Sequence, residues 1–202
     1  MRAGEVEPLG TVANVITVAR TLAGVGLGIA ALAAGSWHLL IAAYACYWIG
    51  DICDGIAARR FGQETIFGAV FDVVCDRACT TVAAAAFVAL EPHAAWPIAL
   101  FLIQFCMLDT MLTLAFLYYP GVISPNYFAR VDRPIYQWNW SPLAKAANTS
   151  VVVLLCLVGA IVPALLWAAA MTVVKVISLH RLYAIRHGRV EARPSSPRAS
   201  AP

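Results

Sequence analysis

Charged side chains are scarce in this sequence. Asp, Glu, Lys and Arg make up 12% of its 202 residues and apolar types 61%, where a soluble domain has about 25% and about 45–50%. That imbalance is too large for a globular core, and it identifies an integral membrane protein. Cysteine pairing is also missing. Cys46, Cys53, Cys75, Cys79, Cys106 and Cys156 are scattered singly in apolar runs, which excludes a disulfide framework or a cysteine metal knot and leaves small buried hydrophobes. The opening residues, MRAGEVEPLG, lack a basic segment followed by an apolar one and a cleavage site. No cleaved leader is expected, and the first apolar helix is expected to stay in the protein. Net charge is only +3, so nucleic acid is not an expected partner. No internal repeat is present.

Six stretches approach the roughly 20 mostly apolar residues that cross a bilayer as a helix. They cover 15–34, 38–59, 65–90, 94–118, 143–161 and 163–185. The fold class expected is therefore all-α integral membrane with six transmembrane helices. Residues 159–163 are the expected turn between the last two, because proline starts a helix well but cannot continue one. Lys and Arg are absent from the connections at 35–37, 91–97 and 159–163. They gather in the others, as Arg59 with Arg60, Arg130 with Arg133, and Arg181, Arg186, Arg189, Arg193 and Arg198. The positive-inside rule then places both termini in the cytoplasm. Residues 1–186 form the expected membrane domain, and the Arg/Pro/Ser-rich tail 187–202 a disordered basic cytoplasmic extension. The loop 120–142 carries Tyr127, Arg130, Arg133, Tyr136, Trp138 and Trp140. It reads either as an interfacial belt or as a lid over a headgroup site.

Against this background Asp51, Asp54, Asp72 and Asp76 need a reason to be where they are. Each costs about 2.5–3.5 kcal/mol near a bilayer centre on insertion scales, and intramembrane acids are functional by default. Helical spacing puts Asp51, Asp54, Gly55 and Ala58 on one stripe with Arg59 beside it, and Gly68, Asp72 and Asp76 on another. The short turn between them makes helices 2 and 3 antiparallel neighbours, whose small residues favour close approach. Four carboxylates then meet in one pocket at the cytoplasmic ends of these helices. One arginine, Arg59 or Arg77, does not balance four acids. Two divalent cations do, and oxygen-only ligation suits Mg²⁺ or Mn²⁺.

The pattern Asp51-x-x-Asp54-Gly55-x-x-Ala58-Arg59 … Gly68-x-x-x-Asp72-x-x-x-Asp76 resembles the signature of the CDP-alcohol phosphatidyltransferases, with all eight fixed positions present. The resemblance implies transfer of a phosphatidyl group from CDP-diacylglycerol to an alcohol with release of CMP, in a six-helix bundle that is a homodimer in the cell membrane. It implies that Asp51, Asp54 and Asp72 ligate one ion and Asp51, Asp72 and Asp76 a second. It further implies that Gly55, Ala58, Arg59 and Gly68 serve the nucleotide and its diphosphate, and that Asp76 is the general base.

The acceptor is less legible. Lys145-Ala-Ala-Asn148-Thr149 resembles a stretch of the cardiolipin synthases and is similar to a Lys-Thr motif of the phosphatidylglycerophosphate synthases. Asn14 to Arg20 looks like helix 1 of the same branches. These favour phosphatidylglycerol or glycerol 3-phosphate. Val74-Cys75-Asp76-Arg77 looks more like the phosphatidylinositol-phosphate synthases, and that enzyme or a phosphatidylserine synthase stays as the alternative. Acceptor candidates are Lys145, Asn148, Arg20, Arg130 and Arg133. Arg20 needs an acidic partner, either the metal pocket or Asp109. Lys175 is expected to snorkel to the interface, and His180 with Arg181 to flank it. A small cation transporter is the rival from another class, but acids gathered at one membrane face do not line a through-path.

Overall fold

A computed structural model describes residues 7–195, which are helical with turns between and no strand among them. Six segments are long and apolar enough to cross a membrane: Val12–Ala34, Trp37–Arg60, Ile66–Leu90, Pro92–Tyr118, Arg133–Leu157 and Ile161–Arg186. The described residues fall into two compact units, one ending at Ala95 and the other beginning at Trp96.

The first unit is built from α1 (Val12–Ala34), α2 (Trp37–Arg60) and α3 (Ile66–Leu90). Polar caps set their starts. Thr11, Ser36 and Thr65 each accept a backbone N–H from the first turn of the helix they precede, one of the donors a helix end leaves unpaired. Gly35 ends α1 in the left-handed region at φ 60°, where a Cβ would be strained. Arg59 and Arg60 close α2 on the negative end of its dipole. Three long-range bonds tie this end of the unit together. Glu7 accepts from the N–H groups of Ile66 and Phe67, and Gln63 accepts from that of Val12.

The expected close pair of α2 and α3 is only part of the arrangement, because α1 packs against both more extensively than they pack on each other. Its inward face is Ala13, Asn14, Thr17, Arg20, Gly24, Gly28 and Ala31, a helical stripe of small or polar side chains. At Gly28 an added Cβ would lie 2.7 Å from Val82 Cγ1, and at Gly24 3.5 Å from Cys79 Sγ. Small residues on α1 therefore set the approach, the usual device of membrane helix contacts.

In the second unit the fourth span is not one regular helix. It runs as α4 (Ala95–Ile103), a wider π turn (Gln104–Asp109), α5 (Thr110–Leu114) and a tight 3₁₀ turn (Ala115–Tyr118). The wide turn buries Gln104, Phe105 and Asp109 together, and Thr110 Oγ1 donates to the Phe105 carbonyl at 3.1 Å. Such insertions re-aim side chains. The loop 120–142 has helical structure of its own. It holds a 3₁₀ turn (Pro125–Arg130) and α6 (Arg133–Asn139), with Phe128 and Trp140 buried against each other at 4.7 Å between ring centroids. Then α7 (Pro142–Leu157) stops earlier than expected, because Gly159 at φ 74° turns the chain into α8 (Ile161–Arg186).

Lys175 corrects the expectation that it snorkels. Its side chain is 2% exposed, and Nζ lies 2.5 Å from Asp109 Oδ1. A lysine midway along an apolar helix does reach the interface when its stem is free to do so, but here the π turn presents an acid to it inside the unit. Lys175, Ser178 and Arg181, spaced three apart on α8, make successive polar rungs to Asp109, Asn139 and Asp132. Breaking one partner of such a buried ion pair costs about 3–5 kcal/mol.

Asp132 carries the third rung. Burial alone would push its carboxyl up. Bonds from the Arg181 side chain and from the Ile135 and Arg193 N–H groups outweigh that and hold it below the usual carboxylate range. Its stabilisation is thus present above the unfolded carboxylate pKa, and lost only as pH falls through the lower folded value. Arg193 belongs to the stretch expected to be a disordered tail, of which residues 196–202 lie outside the described residues.

Candidate active site

Three helices supply the pocket of the first unit. Asp51 and Asp54 come from the last turns of α2, Asp72 and Asp76 from the first half of α3, and Arg20 from α1. Carboxylate oxygens of Asp51, Asp72 and Asp76 lie within 4.8 Å of one another. The three side chains are partly open, at 36%, 37% and 21% exposure, whereas Asp54 is closed off at 7%.

Arg20 joins these groups. Its Nη2 donates to Asp72 Oδ1 and, at 3.0 Å, to Asp76 Oδ1, and lies 3.6 Å from Asp51 Oδ1. Its Nε donates to Asp54 Oδ2 at 2.7 Å, and the Thr17 hydroxyl donates to the same oxygen at 2.8 Å. The guanidinium lies 5.5 Å from the centre of the Tyr47 ring. Nη1 is buried with no hydrogen-bond partner among the described residues. One face of the guanidinium thus holds Asp54 back, while one nitrogen sits against the three acids that converge.

The pocket separates the four aspartates that the sequence placed together. Asp51, Asp72 and Asp76 form a group, and Asp54 is turned to Thr17 and Arg20. The triad offers oxygen donors only, and Arg20 by itself does not balance four carboxylates. This fits a hard divalent ion.

The glycines show how closely the parts fit. A Cβ on Gly50 would lie 2.4 Å from Arg20 Cβ and 2.6 Å from its Cδ, so the arginine stem passes directly over this position. A Cβ on Gly55 would lie 3.3 Å from Arg59 Nη1, which folds back along its own helix. At Gly68 it would meet Thr65 Oγ1 at 2.9 Å and Asn14 Oδ1 at 3.1 Å, so this glycine admits both the helix cap and α1. Ala58 is half-buried and Arg59 exposed.

This chain matches the CDP-alcohol phosphatidyltransferase family model over residues 10–174. It belongs to that family. No curated protein and no solved structure matches the chain. The family's members are phosphotransferases that move a phosphatidyl group from a CDP-alcohol to an alcohol acceptor and use divalent metal ions. The match spans α1 to the first half of α8, with the eight-position signature on α2 and α3 of this phosphatidyltransferase.

The acceptor candidates other than Arg20 lie in the second unit. Lys145 Nζ donates to Asn126 Oδ1 at 3.2 Å on the surface. Asn148 is buried and accepts from Gln104 Nε2 at 3.0 Å. Arg130 lies over the Tyr127 ring, and Arg133 is exposed, its backbone N–H donating to the Arg193 carbonyl. Two neighbours of the aspartate pocket were missed from sequence, Tyr47 and Gly50, and Thr17 was seen only as part of the Asn14 to Arg20 pattern. Thr17 had a signal, since Asn14, Thr17 and Arg20 repeat every three residues in an apolar helix. Gly50 had a weaker one, a glycine inside a helix next to an acid.

Proposed function

We propose that this phosphatidyltransferase uses CDP-diacylglycerol as donor and phosphatidylglycerol or glycerol 3-phosphate as acceptor, releasing CMP at the cytoplasmic face of the cell membrane. The observation that carries the reading is the signature on α2 and α3, with the carboxylates of Asp51, Asp72 and Asp76 converging within 4.8 Å.

Asp51, Asp72 and Asp76, with Asp54 alongside, would hold two Mg²⁺ or Mn²⁺ ions. When bound, such ions neutralise a diphosphate and polarise the phosphorus under attack. Asp76 takes the proton of the acceptor hydroxyl. The acceptor oxygen forms its bond to the phosphorus carrying the diacylglycerol, and the bond from that phosphorus to the oxygen of CMP breaks. Arg20 keeps Asp54 oriented through Nε, and its unpartnered Nη1 has a donor left for a phosphate oxygen. Gly55 leaves the space in which Arg59 lies, close to where a diphosphate would enter. Positioning and charge do most of the work in such transfers. The protein acts as a homodimer.

The acceptor assignment is supported by the likeness of Lys145 to Thr149 and of Asn14 to Arg20 to the cardiolipin and phosphatidylglycerophosphate synthase branches. The Cys75-Asp76-Arg77 run favours inositol phosphate instead, as the second reading. A panel of phosphatidylglycerol, glycerol 3-phosphate, serine, inositol and inositol phosphate, each with labelled CDP-diacylglycerol, decides. One of the first two should give the labelled lipid product fastest. Product from inositol phosphate or serine alone would move the chain to another branch.

A further inference from the structure

Past residue 174, where the family match ends, the chain folds back onto its own unit. Gly188 turns it at φ 65° after α8. The segment that follows is then bonded along the loop before α6. Ser195 N–H donates to the Ala129 carbonyl and Arg133 N–H to the Arg193 carbonyl, both at 2.8 Å. Arg193 N–H donates to Asp132 Oδ2 at 3.1 Å. Asp132 is fully buried and also accepts from Ile135 N–H, from Arg181 Nε at 3.1 Å and from Arg181 Nη2 at 2.7 Å. One carboxylate thus closes a clasp between tail, loop and α8.

The clasp gathers exposed arginines. Arg130, Arg133, Arg186, Arg189 and Arg193 are all exposed, Glu191 is the acid among them, and none of the five pairs with a carboxylate among the described residues. Three lie over tyrosine rings: Arg130 on Tyr127 at 4.6 Å, Arg186 on Tyr118 at 4.2 Å and Arg189 on Tyr183 at 5.6 Å. A guanidinium lying over a ring keeps its in-plane N–H fork free, and that fork matches phosphate oxygens. Tyr118 and Arg186 are the last residues of two spans, so the surface lies at headgroup depth, where aromatic and basic side chains collect.

We infer that the C-terminal clasp forms a docking surface for the phosphate of anionic phospholipids in the surrounding bilayer, with Asp132 as its keystone. The surface is made by residues outside the family match together with the loop they hold, and it uses none of the four aspartates.

The test uses the full chain in nanodiscs of phosphatidylcholine with and without phosphatidic acid. That lipid has no alcohol hydroxyl and cannot serve as acceptor, so failure here is distinct from failure of the proposed reaction. Thermal midpoint and co-purified lipid, measured by native mass spectrometry, are the readouts. The variant R186Q/R189Q/R193Q removes three charges yet keeps the clasp, because Arg193 enters it through backbone atoms. The native chain should gain several degrees with phosphatidic acid, and the triple variant should lose most of that gain and retain several-fold less lipid, with an unchanged midpoint in phosphatidylcholine. Asp132→Asn should lower the midpoint in both. An equal gain in native and triple-variant chains would overturn the proposal, as would the same gain from inorganic phosphate alone.

Discussion

Asp76→Asn should lower kcat by at least about a thousandfold, the upper part of the range for removing a general base, while binding of CDP-diacylglycerol stays measurable. Asparagine keeps the size of the side chain and one oxygen to face Arg20 Nη2, so the pocket has no steric reason to collapse. What it loses is the charge and the lone pair that, in the proposed mechanism, accepts the acceptor's proton. In the proposed mechanism Asp76 acts on the acceptor hydroxyl, and Asp51, Asp54 and Asp72 stay in place to hold an ion on the donor's diphosphate. Single-turnover kinetics and a separate donor-binding titration distinguish the two quantities. Near-normal turnover would remove Asp76 as base, and donor binding lost in parallel would make it a pocket-building residue instead.

Arg20→Met should destabilise the metal-free protein strongly, and much less the protein with saturating Mg²⁺. In the pocket the guanidinium lies against Asp51, Asp54, Asp72 and Asp76, and its side chain is 2% exposed. Removing one partner of a buried charge cluster costs about 3–5 kcal/mol, which for a chain of this size lowers the midpoint by roughly 10 °C. A divalent ion held by Asp51, Asp72 and Asp76 would compensate the same three carboxylates that Nη2 faces. Only the Nε bond to Asp54 then remains lost, with Thr17 still donating to that acid. Gly50→Ala is the companion variant. Its Cβ crowds the arginine stem without touching an acid, and overpacking of this kind costs about 1–3 kcal/mol. Its loss too should shrink with metal. Midpoints measured in chelator and in Mg²⁺ check both, and an equal loss in the two conditions would separate Arg20 from the metal site.

What could be read from the sequence had a period or a length. Spans of about 20 residues, loops sorted by charge and acids repeating every three or four positions are local patterns, and the structure has the six spans and the convergence of Asp51, Asp72 and Asp76. Partner choice between distant residues was legible only in outline: Arg20 was expected on the metal pocket or Asp109 and meets the pocket, while Lys175 was expected at the interface and meets Asp109. Arg20 reaches Asp76 across 56 positions and Lys175 reaches Asp109 across 66, and nothing local to either residue names the other. The π turn at 104–109 is invisible to hydropathy, because one extra residue in a turn changes direction and not composition. Asp132 is a lone acid in a basic loop, where its composition suggests solvent. Its burial depends on Arg181 and Arg193 arriving from elsewhere in the chain. The tail itself has the composition of a disordered segment, and backbone bonds to residues 129–133 order it through Ser195 without using its side chains.

The most direct test of the account is CMP release from CDP-diacylglycerol by the purified chain, titrated with Mg²⁺ or Mn²⁺, in the presence of the acceptor panel. The account expects release that needs a divalent ion, needs an alcohol acceptor and disappears when Asp51, Asp72 or Asp76 is changed to asparagine. Release unaffected by chelator and by these substitutions, or no CMP with any acceptor, would contradict it.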